Sequence, residues 1–427
     1  MIKWLCACAA LLTAACVSPG LGGDNLDEIA ADYVQMQLEI GEREPGYIDA
    51  YYGPAEWQEA AKSAPRSVEA LAAEAAALTG RTQAVMPAGL QSMDQRRRAF
   101  LLANLKAATT RLRMLRGEKL SFADEAEGLF GVRPELQELS TYDSVLARID
   151  ALVPGTGPLP ERVDAFQEQF TIPTARLKPV FDAAIAECKR RTLQHIALPA
   201  GETFTMEFVT GKSWSGYNYY KGNATSLIQI NTDLPIRISR AVDLGCHEGY
   251  PGHHAYNMLL EQKLAKDRGW IEFTVYPLYS PQSLIAEGSA NYGIDLAFPG
   301  PERLNYEVGA LYPLAGLPAA NADEYLALLD ATRALGGARF TIARDYLEGR
   351  VTRDQAVALA QKYQLMSKAR AEQSIAFTDQ YRSYVINYGL GQDMVRQYVE
   401  RAGASHGARW DAFERLISEP TLPSDLR

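Results

Sequence analysis

Histidine is nearly missing from this chain: five occur in 427 residues. That excludes chemistry spread over many imidazoles, and it makes any cluster of histidines stand above background. Cysteine is equally scarce, also five. Cys6 and Cys8 fall in a predicted leader and Cys16 is a predicted lipidation site, so Cys188 and Cys246 alone remain for the folded part. Two buried thiols is the reading favoured here, with a disulfide between them left open. Positive charge is short as well: 43 Lys and Arg stand against 52 Asp and Glu, a net charge of −9. Without a basic stripe carrying interleaved aromatics, nucleic acid is excluded as a partner. The runs Arg96-Arg97-Arg98 and Lys189-Arg190-Arg191 fall inside helical patterns and read as solvated helix faces. The apolar run from Trp4 to Leu12 is too short to cross a bilayer as a helix.

That run instead fits an export signal. Lys3 gives a positive start, and Thr13-Ala14-Ala15 supply small residues before a cleavage point. Leu12-Thr13-Ala14-Ala15-Cys16 resembles a bacterial lipoprotein cleavage site with Cys16 as the lipidated first residue; a plain cleaved leader is the alternative. Val17 to Gly23 reads as a flexible tether, and Val17 beside the lipidated cysteine favours the outer membrane. The expectation is a leader over 1–16, a tether over 17–23 and one mostly helical domain over 24–427. The protein is expected to be exported, lipid-anchored at the outer membrane or periplasmic, and to touch membrane only through Cys16.

What is present is an ordinary globular composition, 47% apolar and 22% charged, in a chain long enough to bury a sizeable core. Helical spacing runs over Asp24 to Glu44, with Asp24 and Asn25 as caps, and over Ser67 to Leu78, Leu90 to Arg116 and Thr174 to Ile196. The pattern changes at Thr203 to Val209 and Ala224 to Asn231, which are rich in β-branched and aromatic residues and read as strands. Trp214 to Gly222 between them reads as an aromatic, glycine-rich loop lining substrate pockets or simply packing. The predicted fold is mainly α, a large helical body with a small β-sheet just before the histidine-bearing helix. The edge of such a sheet suits an extended peptide.

Three of the five histidines fall in one octet, His247-Glu248-Gly249-Tyr250-Pro251-Gly252-His253-His254. A His-Glu pair followed by another histidine is what a hydrolytic zinc site takes from one helix: two imidazoles hold Zn2+ and the carboxylate serves as base toward a metal-activated water. An unbroken helix cannot do this here. His247 and His254 would stand about 10 Å apart, and His247 and His253 would point about 120° apart. Pro251-Gly252 predicts a bulge that absorbs two residues and brings His253, in preference to His254, to the usual position. Glu287, set among small and apolar residues, is either a third ligand or a helix-surface acid. Asp243 and Asp295 are candidates to accept the second ring N–H of a ligand histidine, or are ordinary helix acids. His195 and His406 have no partners in sequence and read as structural.

The octet, the later Glu287-Gly288 with Ala290 and Tyr292, and Tyr388-Gly389-Leu390-Gly391-Gln392 resemble the bacterial family catalogued as domain of unknown function 885. That family is in turn similar to helical gluzincin-type zinc metallopeptidases with two His and one Glu as ligands. The resemblance implies His247, His253 and Glu287 as metal ligands, Glu248 as general base and proton shuttle, and Tyr388 as donor to the oxyanion, with Tyr384 and Arg382 as rivals. Ahead of its C-terminal tyrosine the family shows Pro-Gly-Gln-Ala, whereas this chain reads Tyr384-Val385-Ile386-Asn387-Tyr388. The expected function is a zinc-dependent hydrolase, a metallopeptidase acting on a peptide or small amide substrate. The alternatives are a zinc hydrolase of non-peptide amides or esters and a non-catalytic, metal-stapled binding lipoprotein.

Overall fold

Helix α1, Leu26–Arg43, starts where a cap is available: Asn25 Oδ1 accepts the Glu28 N–H at 2.8 Å. Its apolar stripe, including Ile29, Tyr33 and Val34, is buried. The computed structural model describes residues 25–427. The predicted leader, the Cys16 anchor, the tether and the Asp24 cap lie outside the described residues. Strand β1, Ile48–Tyr51, follows, then α2, Val68–Ala84, capped by Ser67, and α3, Ser92–Leu115. Arg97 on α3 corrects the reading of its run as a solvated face. It is 3% exposed and forks onto Glu272 at 2.6 and 2.9 Å, a bidentate pairing that removes the charge penalty of burial.

The predicted helix from Thr174 begins as a short 3-10 turn and continues as α4, Leu177–Thr192. The predicted strands are present as β2, Thr203–Val209, and a later strand, Thr225–Asn231. The segment read as a loop between them is largely a strand, β3, Gly216–Gly222. Tyrosines favour pleated surface even between glycines. The two-residue turn at Asn223-Ala224, both at positive φ, returns the chain directly into β4, Thr225–Asn231. The sheet order is β2-β4-β3, with β2 parallel and β3 antiparallel to the central strand.

Two helices then carry the octet: α5, Ser239–Glu248, and α6, His253–Leu260. Strand β5, Val275–Pro277, pairs antiparallel with β1. Helix α7, Pro281–Ala297, is buried almost throughout, and α8, Ala338–Leu347, α9, Lys368–Tyr381, and α10, Ile386–Arg401, complete the surroundings of the site. Helix thus dominates, with two small sheets. Among the described residues no helix is long and apolar enough to cross a membrane.

Two contacts position the site. Helices α7 and α10 cross at Gly288 and Gly391: a Cβ on Gly288 would stand 2.5 Å from the Gly391 carbonyl, and one on Gly391 would stand 2.8 Å from the Leu284 oxygen. Any side chain there would force the helices apart. The second is a disulfide between Cys188 on α4 and Cys246 on α5, which overturns the reading of two free thiols. Strands β2–β4 lie between these cysteines in the chain, and the return brings their Cα atoms to 5.5 Å, within bridging range. Closing a loop of 58 residues stabilises the fold by about 4 kcal/mol in the chain-entropy account.

Candidate metal centre

The octet does not form a bulged helix. It breaks into two helices, α5 ending at Glu248 and α6 starting at His253. Between them the Tyr250–Pro251 peptide is cis, and the chain folds back over the end of α5 until the Gly252 N–H reaches the Cys246 carbonyl at 3.1 Å. A Cβ at Gly252 would lie 1.9 Å from the His247 carbonyl oxygen, so glycine alone fits. The break sets the His247 and His253 rings 4.6 Å apart, nearly perpendicular. His254 turns the other way, fully buried, with Nδ1 on the Ser226 hydroxyl at 2.7 Å and Nε2 donating to Glu202 at 3.1 Å.

Glu287 on α7 meets the two rings: its Oε2 is 3.1 Å from His247 Nε2 and 3.7 Å from His253 Nε2. One ligand atom from each of the three residues lies within 4.8 Å of the others, a cluster that can hold a metal ion. The tautomer of His247 follows from a chain of hydrogen bonds. The Tyr388 carbonyl can only accept, so it takes the Asn291 amide N–H, at 3.2 Å. That turns the Asn291 oxygen toward His247 Nδ1, 3.0 Å away, so Nδ1 carries the proton. The lone pair of Nε2 is left facing Glu287. Asn291 thus fills the role expected of Asp243 or Asp295. Both aspartates are engaged elsewhere: Asp243 by Arg303 at 2.8 Å and Asp295 by Arg396 at 2.9 Å. The signal missed was Asn291 itself, one turn beyond Glu287 on the same helix face.

The donor set fits a cation on a second count. Glu287 Oε2 and Glu248 Oε2 are both buried and make no well-formed hydrogen bond, a costly state for carboxylate oxygens unless something else occupies the space. Glu248 packs its other oxygen against Gly216 of β3, where a Cβ would stand 2.6 Å from Oε1. Burial pushes the Glu248 carboxyl up to about 7, with Glu287 and Asp49 adding to the rise and His247 opposing it. Asp49, on β1, is another residue sequence reasoning missed; burial raises it to about 7 despite the hydrogen bond donated by Tyr217. Burial also lowers His253 to about 4, leaving a neutral imidazole.

These groups line a cavity of about 940 Å³, walled by β3 residues Gly216, Tyr217 and Asn218 on one side and by α8, α9 and α10 on another. Tyr388 lies nearly parallel to the His247 ring at 6.3 Å and lines the cavity, its hydroxyl in no hydrogen bond among the described residues. The Tyr384 hydroxyl donates to Glu287 Oε1 at 2.7 Å. Arg382 does not line the cavity; its Nε donates to Glu125 at 2.8 Å. His195 and His406 lie far from the octet in sequence yet next to each other, around Trp410. The Trp410 indole N–H donates to His406 at 2.9 Å and the His195 ring stacks on Trp410 at 4.7 Å.

No protein-family model matches the chain, the family of the octet resemblance included, and no curated protein matches it. Solved structures do. A candidate lipoprotein from Colwellia psychrerythraea is 15% identical at a TM-score of 0.50, covering 81% of this chain. This chain spans 66% of that one, just under two thirds of its length. A candidate lipoprotein of unknown function from Shewanella oneidensis is 12% identical at 0.43, covering 85% of this chain and 76% of its own. An M32 carboxypeptidase from Deinococcus radiodurans R1 is 12% identical at 0.30, covering 94% and 95%. At these identities a likeness speaks of the fold alone, and of the three only the first, at 0.50, does so.

Proposed function

We propose that this protein is a zinc-dependent hydrolase, and specifically a metallopeptidase. The observation that carries the reading is the pair of buried, unsatisfied carboxylate oxygens. One, on Glu287, faces two imidazole nitrogens; the other, on Glu248, stands free beside them in the same cavity. His247, His253 and Glu287 would hold the ion, three protein ligands and an open position being the pattern of a catalytic rather than a structural site. Zinc there supplies Lewis acidity, polarising a carbonyl and acidifying water. Glu248 takes the proton of the attacking water at Oε2 and returns it to the leaving amine. Tyr388, whose hydroxyl is uncommitted, donates to the developing oxyanion; Tyr384, held by Glu287, fixes the ligand carboxylate instead. The β3 wall offers the substrate an edge to lie against.

The test is digestion of a diverse peptide mixture by the zinc-loaded protein, read by mass spectrometry beside Glu248→Gln. Wild-type cleavage with a loss of about 10²–10⁴-fold in the variant, at equal zinc content, is expected. Equal cleavage by both removes Glu248 from the role of base, and cleavage by neither removes the peptidase.

A further inference from the structure

The cavity walls carry six arginines, and four of them meet carboxylates of the same walls. Arg303 and Arg240 contact Asp243 at 2.8 and 3.3 Å, and Arg396 and Arg333 contact Asp295 at 2.9 and 3.3 Å. Arg370 donates to the Pro235 carbonyl at 2.6 Å. Arg339, in the first turn of α8, has neither a hydrogen bond nor an ion pair among the described residues, and its Nε is buried without a partner. It lies over the rings of Phe377 and Tyr388, with 5.1 and 5.5 Å to their centroids. Two aromatic faces return only part of the hydration that this half-buried guanidinium gives up. A bidentate carboxylate would return the rest.

Apart from the exposed Asp393, the cavity acids that pair with no arginine gather elsewhere. Asp49, Glu248 and Glu287 surround the histidines, so charge is segregated: carboxylates at the metal-binding end and an unanswered guanidinium one aromatic ring away, beyond Tyr388. The two centroid distances, 6.3 and 5.5 Å, bound that separation, and about three extended residues at about 3.5 Å each suffice to span it.

We infer that Arg339 is a specificity-determining residue that binds a carboxylate of the substrate, carried within about three residues of the bond being cut. The inference deepens the peptidase reading and rests on it for the identity of the ligand. A peptide supplies such a group either as its C-terminal acid or as an Asp or Glu side chain, and the two sources are separable.

The experiment is calorimetric binding to the zinc-loaded Glu248→Gln protein, which keeps the cavity and spares the ligand. The probes are N-acetyl-tetra-alanine as the free acid, the same peptide as its C-terminal amide, and amidated peptides ending in Glu or Gln. One of the acids should bind roughly 10–150-fold more tightly than its neutral counterpart, the range expected for hydrogen bonds to a charged group. Which acid does so identifies the source. A second substitution, Arg339→Gln, should abolish that preference, and Arg339→Lys should retain part of it, with thermal melting confirming that both fold. Equal or absent binding of acid and neutral peptides, or a preference that survives Arg339→Gln, overturns the inference. A carboxylate preference without peptide cleavage by the wild type would leave Arg339 as an anion site and refute the peptidase alone. Cleavage without the preference would do the reverse.

Discussion

His253 and His254 are adjacent in the chain, the first half-buried and the second fully buried, and each is paired with a glutamate, yet what most divides their surroundings is something else. Around His254 every polar atom of the cluster is spent. One ring nitrogen is on Ser226 and the other on Glu202, and Glu202 also accepts from Lys189 and Tyr250. Around His253 the accounting does not close: Glu287 Oε2 and Glu248 Oε2 are enclosed without hydrogen bonds. The two His-Glu pairs sit at one short helix, so residue type does not separate them, and burial, partial at His253 and complete at His254, does so only in degree. Satisfaction does. A cluster whose hydrogen bonds are complete has its energy in the fold, and one whose carboxylate oxygens lack protein donors beside two imidazoles has ligand atoms to offer a cation.

The sharpest way to break this comparison is to delete each histidine in turn. His253→Ala should abolish stoichiometric zinc binding and, with it, turnover, with little change in melting temperature of the metal-free protein. His254→Ala should keep the zinc and lose about 3 kcal/mol of stability, because it opens a cavity and strands Ser226 and Glu202. Zinc content by mass spectrometry beside thermal melting reads both; exchanged outcomes would invert the assignment. A smaller effect is expected at Asn291, which holds the tautomer of His247: Asn291→Ala should weaken zinc about 10–100-fold in competition with a chelator, whereas an unchanged affinity would show that the hydrogen bond orients nothing.

The smallest effect concerns the satisfied side and appears only in acid. Burial alone would raise the Glu202 carboxyl, but His254, Lys189 and Tyr250 outweigh it and hold it at about 2 rather than 4.5. The folded pKa is depressed, so its contribution to stability is complete above pH 4.5 and is lost as pH falls toward 2. Glu202→Gln should flatten the melting temperature of the protein across that window and leave zinc binding untouched. A wild-type profile already flat there would mean that the cluster is not held as drawn.

The parts of this structure legible in sequence were those with short-range causes. Helical periodicity, the cap at Asn25, and the strands around 203–231 needed only local propensity. So did the argument that an unbroken helix could not bring His247 and His253 together. Three features were hidden because their causes are remote in the chain. The Cys188–Cys246 bridge depends on how 58 residues return. Asp49 reaches the cavity only through the pairing of β1 with β5, whose partners are more than 200 residues away. Asp243 and Asp295 looked suited to the histidine N–H, and only the fold shows Arg303 and Arg396 occupying them and Asn291 taking the contact. The strand Gly216–Gly222 is a different kind of miss. Alternating tyrosines and a two-residue turn were visible, and the glycines at its ends obscured them.

The meeting of Gly288 and Gly391 has a consequence for how such a site can change. At that crossing the helix bearing Glu287 and Asn291 and the helix bearing Tyr388 approach until their backbones touch, with no room for a side chain between them. Their spacing at that point is therefore set by atoms that every amino acid shares. Residues elsewhere on the cavity wall can be exchanged without touching it. The gauge that sets the Glu287 carboxylate against Tyr388 stays fixed for as long as both glycines do.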